Sequence, residues 1–73
     1  MFTGKRFKLQ TATIAIDCTK RTAMTVPAGT VIKVIHGPTP GDRMIDVLFD
    51  GRPMIMFAID VKERGEEINT YRA

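Results

Sequence analysis

Tryptophan is absent from this chain, and cysteine, histidine and tyrosine each occur once, as Cys18, His36 and Tyr71. One cysteine cannot close an internal disulfide, and one cysteine with one histidine cannot supply a tetrahedral zinc site. No metal and no cofactor are therefore expected. The longest unbroken apolar run, Met54 to Ile59, is far shorter than the roughly 20 residues a helix needs to cross a bilayer. The early lysines and arginine have no apolar segment behind them of the kind a secretory leader carries. A free cysteine without secretory features points to the cytoplasm, with no membrane partner.

With 73 residues there is room for one domain, residues 1–73, with 1–6 and 72–73 expected to fray. A chain of this size buries only about 60% of its unfolded surface, so tight packing or self-association has to supply stability. The apolar fraction of 44% is enough for a core.

The alternation of apolar and polar residues has the period of strands rather than helices. Phe7 and Leu9, then Ala12, Ile14 and Ile16, alternate with polar or small residues after one slip, which reads as a long first strand bulged near residues 10–12. Thr11 and Thr13 suit its half-exposed face. Met24 and Val26 flank Thr25 before Pro27 ends that segment, and Ala28-Gly29 supply a turn. In the next strand Ile32 and Val34 face one way and Val31, Lys33 and Ile35 the other. Ile45, Val47 and Phe49 share a face of a strand that leads into Asp50-Gly51, a strong type I′ hairpin signal because both central residues need positive φ. Arg52 to Phe57 returns. Ala58 to Val61 breaks the alternation and reads as a tight turn or one 3₁₀ turn, with a short helix over 60–66 as the competing reading. Gly65 allows a bend into a last strand within Glu66 to Tyr71. Five or six short strands in so short a chain favour a small all-β barrel, which removes exposed edges.

This order of strands and turns resembles the Src-homology-3-like barrel over residues 7–70. MTVPAGTVIKVI looks like that fold's diverging turn and the strand after it, Asp50-Gly51 sits at its distal hairpin, and FAIDV at its 3₁₀ turn, between core positions Met56 and Val61. The resemblance implies a five- to six-stranded barrel with one 3₁₀ turn near Ala58–Val61, and little about function. Signalling members of that architecture read proline-rich peptides on a tyrosine- and tryptophan-lined groove. Here Arg43 and Met44 stand where the groove tryptophan would be and Asp60 where the tyrosine would be, so no proline-rich peptide partner is expected. The shape is also similar to a small plasmid-borne class of dihydrofolate reductase whose pore strand carries Val-Gln-Ile-Tyr. The matching run here, Pro53-Met54-Ile55-Met56, has neither polar residue, and no activity carries over.

No catalytic constellation stands out. His36 has no nucleophile or second base beside it. Cys18 adjoins Lys20 and Arg21, which would activate a thiol, but a loop or strand-end cysteine of small structural value is the favoured reading. Asp42, Asp46 and Asp50 share one solvent face, but Asp42 and Asp50 would lie about 27 Å apart along a strand, too far for one ion. Lys62, Glu63, Arg64, Glu66 and Glu67 read as a mixed solvated surface.

Two features bear on function. Met54 and Met56 point to one side of their strand and Ile55 and Phe57 to the other, so both sides are apolar. An apolar outer side in so small a barrel implies coverage by the tail, a partner or a second copy. This gives a non-catalytic interaction module, protein-binding or homo-oligomeric, through Ile55, Phe57, Met44 and Ile59. The second feature is charge: the net +3 divides into six basic residues against Asp17 in 1–35, a balance of +5, and five basic against seven acidic in 36–73, a balance of −2. A nucleic-acid-binding barrel using Lys5, Arg6, Lys8, Lys20, Arg21 and Lys33 on phosphates is the alternative.

Overall fold

The computed structural model of the chain describes residues 3–38 and 40–68. It is all-β apart from one short helix: β1 (Arg6–Leu9), β2 (Thr13–Asp17), β3 (Thr22–Val26), β4 (Val31–His36), β5 (Met44–Phe49), β6 (Arg52–Phe57), α1 (Ala58–Arg64) and β7 (Gly65–Ile68). The strands form one antiparallel sheet in the order β3-β2-β6-β5-β4-β1-β7. Of the ends expected to fray, residues 1–2 and 72–73 lie outside the described residues, and the segment before β1 is hydrogen-bonded to β4. Gly4 N–H donates to Val34 O at 2.8 Å, and Val34 N–H donates to Lys5 O at 2.9 Å.

The ladder order and the chain together force the sheet to curve. β2 and β1 stand four positions apart in the ladder, about 19 Å if the sheet were flat. Residues 10–12 alone join them, and the step from Leu9 to Thr13 spans at most about 14 Å fully extended. The sheet therefore curls, and the core fills its concave side: Phe7, Leu9, Ala15, Val26, Ile32, Val34, Ile45, Val47, Met54, Met56 and Val61 are all buried in one cluster.

Much of the expected patterning is present. Ile32, Val34, Ile45 and Val47 face the core, and Asp50 (φ 53) and Gly51 (φ 77) close the β5–β6 hairpin with positive φ at both central positions. Three expectations differ. Seven strands stand where five or six were expected, because the long first strand divides: β1 pairs with β4 and β7, whereas β2 pairs with β3 and β6. Beyond the break the strand also has the opposite phase. Thr13, Ala15 and Asp17 are buried, while Ile14 is 57% exposed. The inward polar groups are satisfied, since Thr13 Oγ1 donates to Thr11 O at 3.0 Å and Asp17 Oδ1 accepts the Thr19 and Lys20 N–H groups.

The third difference is α1, a seven-residue α-helix over Ala58–Arg64 in place of the 3₁₀ turn at Ala58–Val61, and it begins two residues before the short helix of the competing reading, 60–66. Ala58 N–H donates to Arg43 O at 2.8 Å, and Val61 anchors the helix in the core. Asp60 in the first turn and Lys62 and Arg64 in the last suit the helix dipole. The helix stops at Gly65, whose N–H bonds back to Val61 O. A Cβ at Gly65 would lie 2.6 Å from that oxygen and 3.2 Å from Phe7 Cβ, so β7 leaves the helix where only glycine fits.

Candidate interaction surface

Met54 and Met56 are buried, which leaves Ile55 and Phe57 on the convex side of β6. Ile55 pairs across to Ile16 of β2 on one side and Asp46 of β5 on the other, and Phe57 pairs with Met44. Cross-strand partners and residues two apart share a sheet face. Ile14, Ile16, Ile55, Phe57 and Met44 therefore make up one apolar region on the outside of the sheet. Phe57 is 44% exposed, and Ile16, Ile55 and Met44 are half-buried. The expectation that Thr13 lies on the half-exposed face, with Ile14 and Ile16 on the opposite one, is reversed here. The clue in the chain was the run of small or hydrogen-bonding residues, Thr13, Ala15 and Asp17, on the alternate positions.

Ile59, 55% exposed at the start of α1, extends this region beyond β6. With Phe57 and Pro38 it lines an open recess of about 640 Å³, to which Asp42, Arg43 and Lys62 contribute charge. All four residues named for partner contact, Ile55, Phe57, Met44 and Ile59, thus fall on one side of the molecule with Phe57 at the junction.

The six basic residues of the N-terminal half do not gather so simply. All are exposed. Arg6 on β1 pairs across to Lys33 on β4, a like-charged neighbour pair, and Lys8 follows on the same strand face. Acid from β7 meets them: Lys8 stands opposite Glu66, and Lys5 Nζ lies 3.5 Å from Glu67 Oε1. Lys20 and Arg21 occupy the β2–β3 turn, at the other end of the ladder. Phe7, the aromatic between these cations, faces the core, and Phe2 lies outside the described residues.

His36 is exposed at the end of β4, opposite Asp46. Cys18 is half-buried, with its N–H donating to Pro53 O at 3.2 Å. Asp17 is the buried acid. It accepts the Lys20 N–H at 3.1 Å and the Thr19 N–H at 2.9 Å, and Arg52 Nη1 lies 3.6 Å from its Oδ2. The Lys20 N–H above all, helped by Thr19 and the Arg52 and Lys20 charges, holds its carboxyl below the usual value against the opposing effect of burial. It organises the β2–β3 turn. No group of three or more histidine, cysteine, aspartate or glutamate residues with metal-binding geometry occurs among the described residues. Nor is any helix among them long and apolar enough to cross a membrane. Tyr71 lies outside the described residues.

Compared with protein-family models, curated proteins and solved structures, the chain matches none.

Proposed function

We propose that this chain is a small Src-homology-3-like barrel that acts as a non-catalytic protein-interaction module and self-associates through its outer apolar face. The curled sheet supports the barrel. β1 and β2 are halves of one kinked segment that flank the β4-β5-β6 meander on either side, so the chain itself joins the two margins of that meander. The apolar block of Ile14, Ile16, Ile55, Phe57 and Met44 carries the functional reading. A sheet face exposed to water is mostly polar, whereas here five apolar side chains gather with Asp46 beside Ile55 and Thr25 beside Ile14 as their polar neighbours. Arg43, Met44 and Asp60, standing where a proline-reading groove would carry its aromatics, argue against a proline-rich ligand. Cys18 as a lone half-buried thiol suits a reducing cytoplasm. The nucleic-acid reading has weaker support, because Glu66 and Glu67 offset the β1 cations and the aromatic between those cations points inward.

The test is the pair Ile55→Lys and Phe57→Lys, measured by light scattering after size exclusion. Both side chains point outward, so the circular-dichroism spectrum and melting transition should persist while the assembly loses copies relative to wild type. Equal mass for wild type and both variants would overturn the reading.

A further inference from the structure

The two ends of the ladder are built differently. β7 is four residues long and carries Glu66 and Glu67, which meet Gln10 Nε2 at 3.2 Å and Lys5 Nζ at 3.5 Å. β3 is five residues, TAMTV, with no charge, proline or glycine, and its register against β2 runs unbroken from Thr13↔Val26 to Asp17↔Thr22. Natural edge strands are usually blunted by charge, proline or a bulge. β7 has that protection and β3 has none within its length.

The free hydrogen-bonding groups on β3 can be assigned. Cys18 N–H reaches Pro53 O on the β6 side of its strand. Backbone groups alternate sides along a strand, so residues 14, 16 and 18 address β6 and residues 13, 15 and 17 address β3. Their partners Val26, Met24 and Thr22 therefore direct N–H and C=O back toward β2. Ala23 and Thr25 direct theirs outward, past the end of the ladder, where no described strand lies.

We propose that β3 pairs antiparallel with β3 of a second copy, about a two-fold axis at Met24, with Ala23 opposite Thr25 of that copy. This inference rests on the self-association reading and adds a second, distinct contact to it. In this register Ala23 and Thr25 of both copies exchange all their outward groups, four N–H···O bonds in total. The neighbouring registers fail. Ala23 opposite Ala23 sets Thr25 against Arg21, which has left the strand at φ 58 and already donates its N–H to Asp17 O. Thr25 opposite Thr25 sets Ala23 against Pro27, which has no N–H. Charge agrees, because Arg21 would face Pro27 and Lys20 would face Ala28, so no like charges meet. On the outer face Ala23 adjoins Ile16 and Thr25 adjoins Ile14, so pairing joins the two apolar blocks into one surface. Half-buried Met24, packed against the core, meets its own counterpart at the axis. A second copy fits this edge because the edge is complementary to itself.

Cross-linking and proline substitution test this together. At the axis the two Met24 positions form a non-hydrogen-bonded pair about 4.5 Å apart at Cα, within reach of a disulfide. The two Thr22 positions would be roughly 13 Å apart. In a Cys18→Ser background, mild oxidation should convert the Met24→Cys protein to a covalent dimer and leave Thr22→Cys monomeric on a non-reducing gel. Thr25→Pro removes an outward donor without touching the bonds to β2, so it should fold and sediment at lower mass than wild type. If Thr25→Pro fails to fold, the Met24→Cys cross-link alone decides. A wild type larger than a monomer, with no Met24→Cys cross-link and an unchanged mass for folded Thr25→Pro, overturns the edge contact and leaves the face contact standing. A wild type that stays monomeric overturns both.

Discussion

Replacing Gly65 with alanine isolates the contact that sets the last strand. The backbone there, φ −104 and ψ 147, is ordinary for alanine, so torsional strain does not enter. Losing a glycine would by itself stabilise the fold by about 0.4–1 kcal/mol, by restricting the unfolded chain. The new Cβ, however, would lie 2.6 Å from Val61 O and 3.2 Å from Phe7 Cβ. Neither neighbour yields easily. The Val61 carbonyl is held by the Gly65 N–H, and Val61 and Phe7 are both in the core. Overpacking of this kind costs about 1–3 kcal/mol. The net loss should be about 1–2 kcal/mol, which in a domain this small lowers Tm by roughly 5–15 °C. Thermal unfolding followed by circular dichroism measures it directly. A Tm equal to or above wild type would refute the contact, because the entropic gain would then stand alone.

Gly51→Val puts a β-branched residue at φ 77 with open space around its Cβ, so strain alone should cost more than about 1 kcal/mol in chemical denaturation, and an unchanged midpoint would contradict the turn. Asp17 gives a pH dependence of definite sign. Its folded pKa is depressed, so its stabilising effect is present above the unfolded carboxyl value near 3.8 and is lost as pH falls through the lower folded value. Asp17→Asn should flatten that acid limb of the stability curve, and an identical limb in the variant would show that Asp17 does not contribute.

The parts of the fold legible in the chain were those with local causes. Asp50-Gly51 announces its turn because two consecutive positive φ values exclude most other pairs. β4 to β6 announce themselves because an apolar residue falls at every second, inward position, Ile32, Val34, Ile45, Val47, Met54 and Met56, even though much of their outer side is apolar too. β2 misled for a physical reason. Its inward residues Thr13 and Asp17 satisfy their polar groups locally, on Thr11 O and on the Thr19 and Lys20 N–H groups, so burial costs them little and their polarity concealed their position. Ile14 and Ile16, not Thr13, lie on the outer face. The choice between a 3₁₀ turn and a short helix stayed open because α1 has no side-chain N-cap bond and a single buried residue, Val61, to mark its face. Of the site, the sides of Ile55 and Phe57 followed from alternation alone. The pairing of Ile16 with Ile55, and the offset of Lys8 by Glu66, depend on long-range register that no local pattern carries.

Sedimentation of the wild-type chain across about 1–100 μM tests self-association most directly, since even a dimer of roughly 10 μM affinity is mostly formed at the upper end. The account predicts a mass that rises with concentration above the 8.1 kDa of a single chain. A mass that stays at 8.1 kDa through the highest concentration would contradict it.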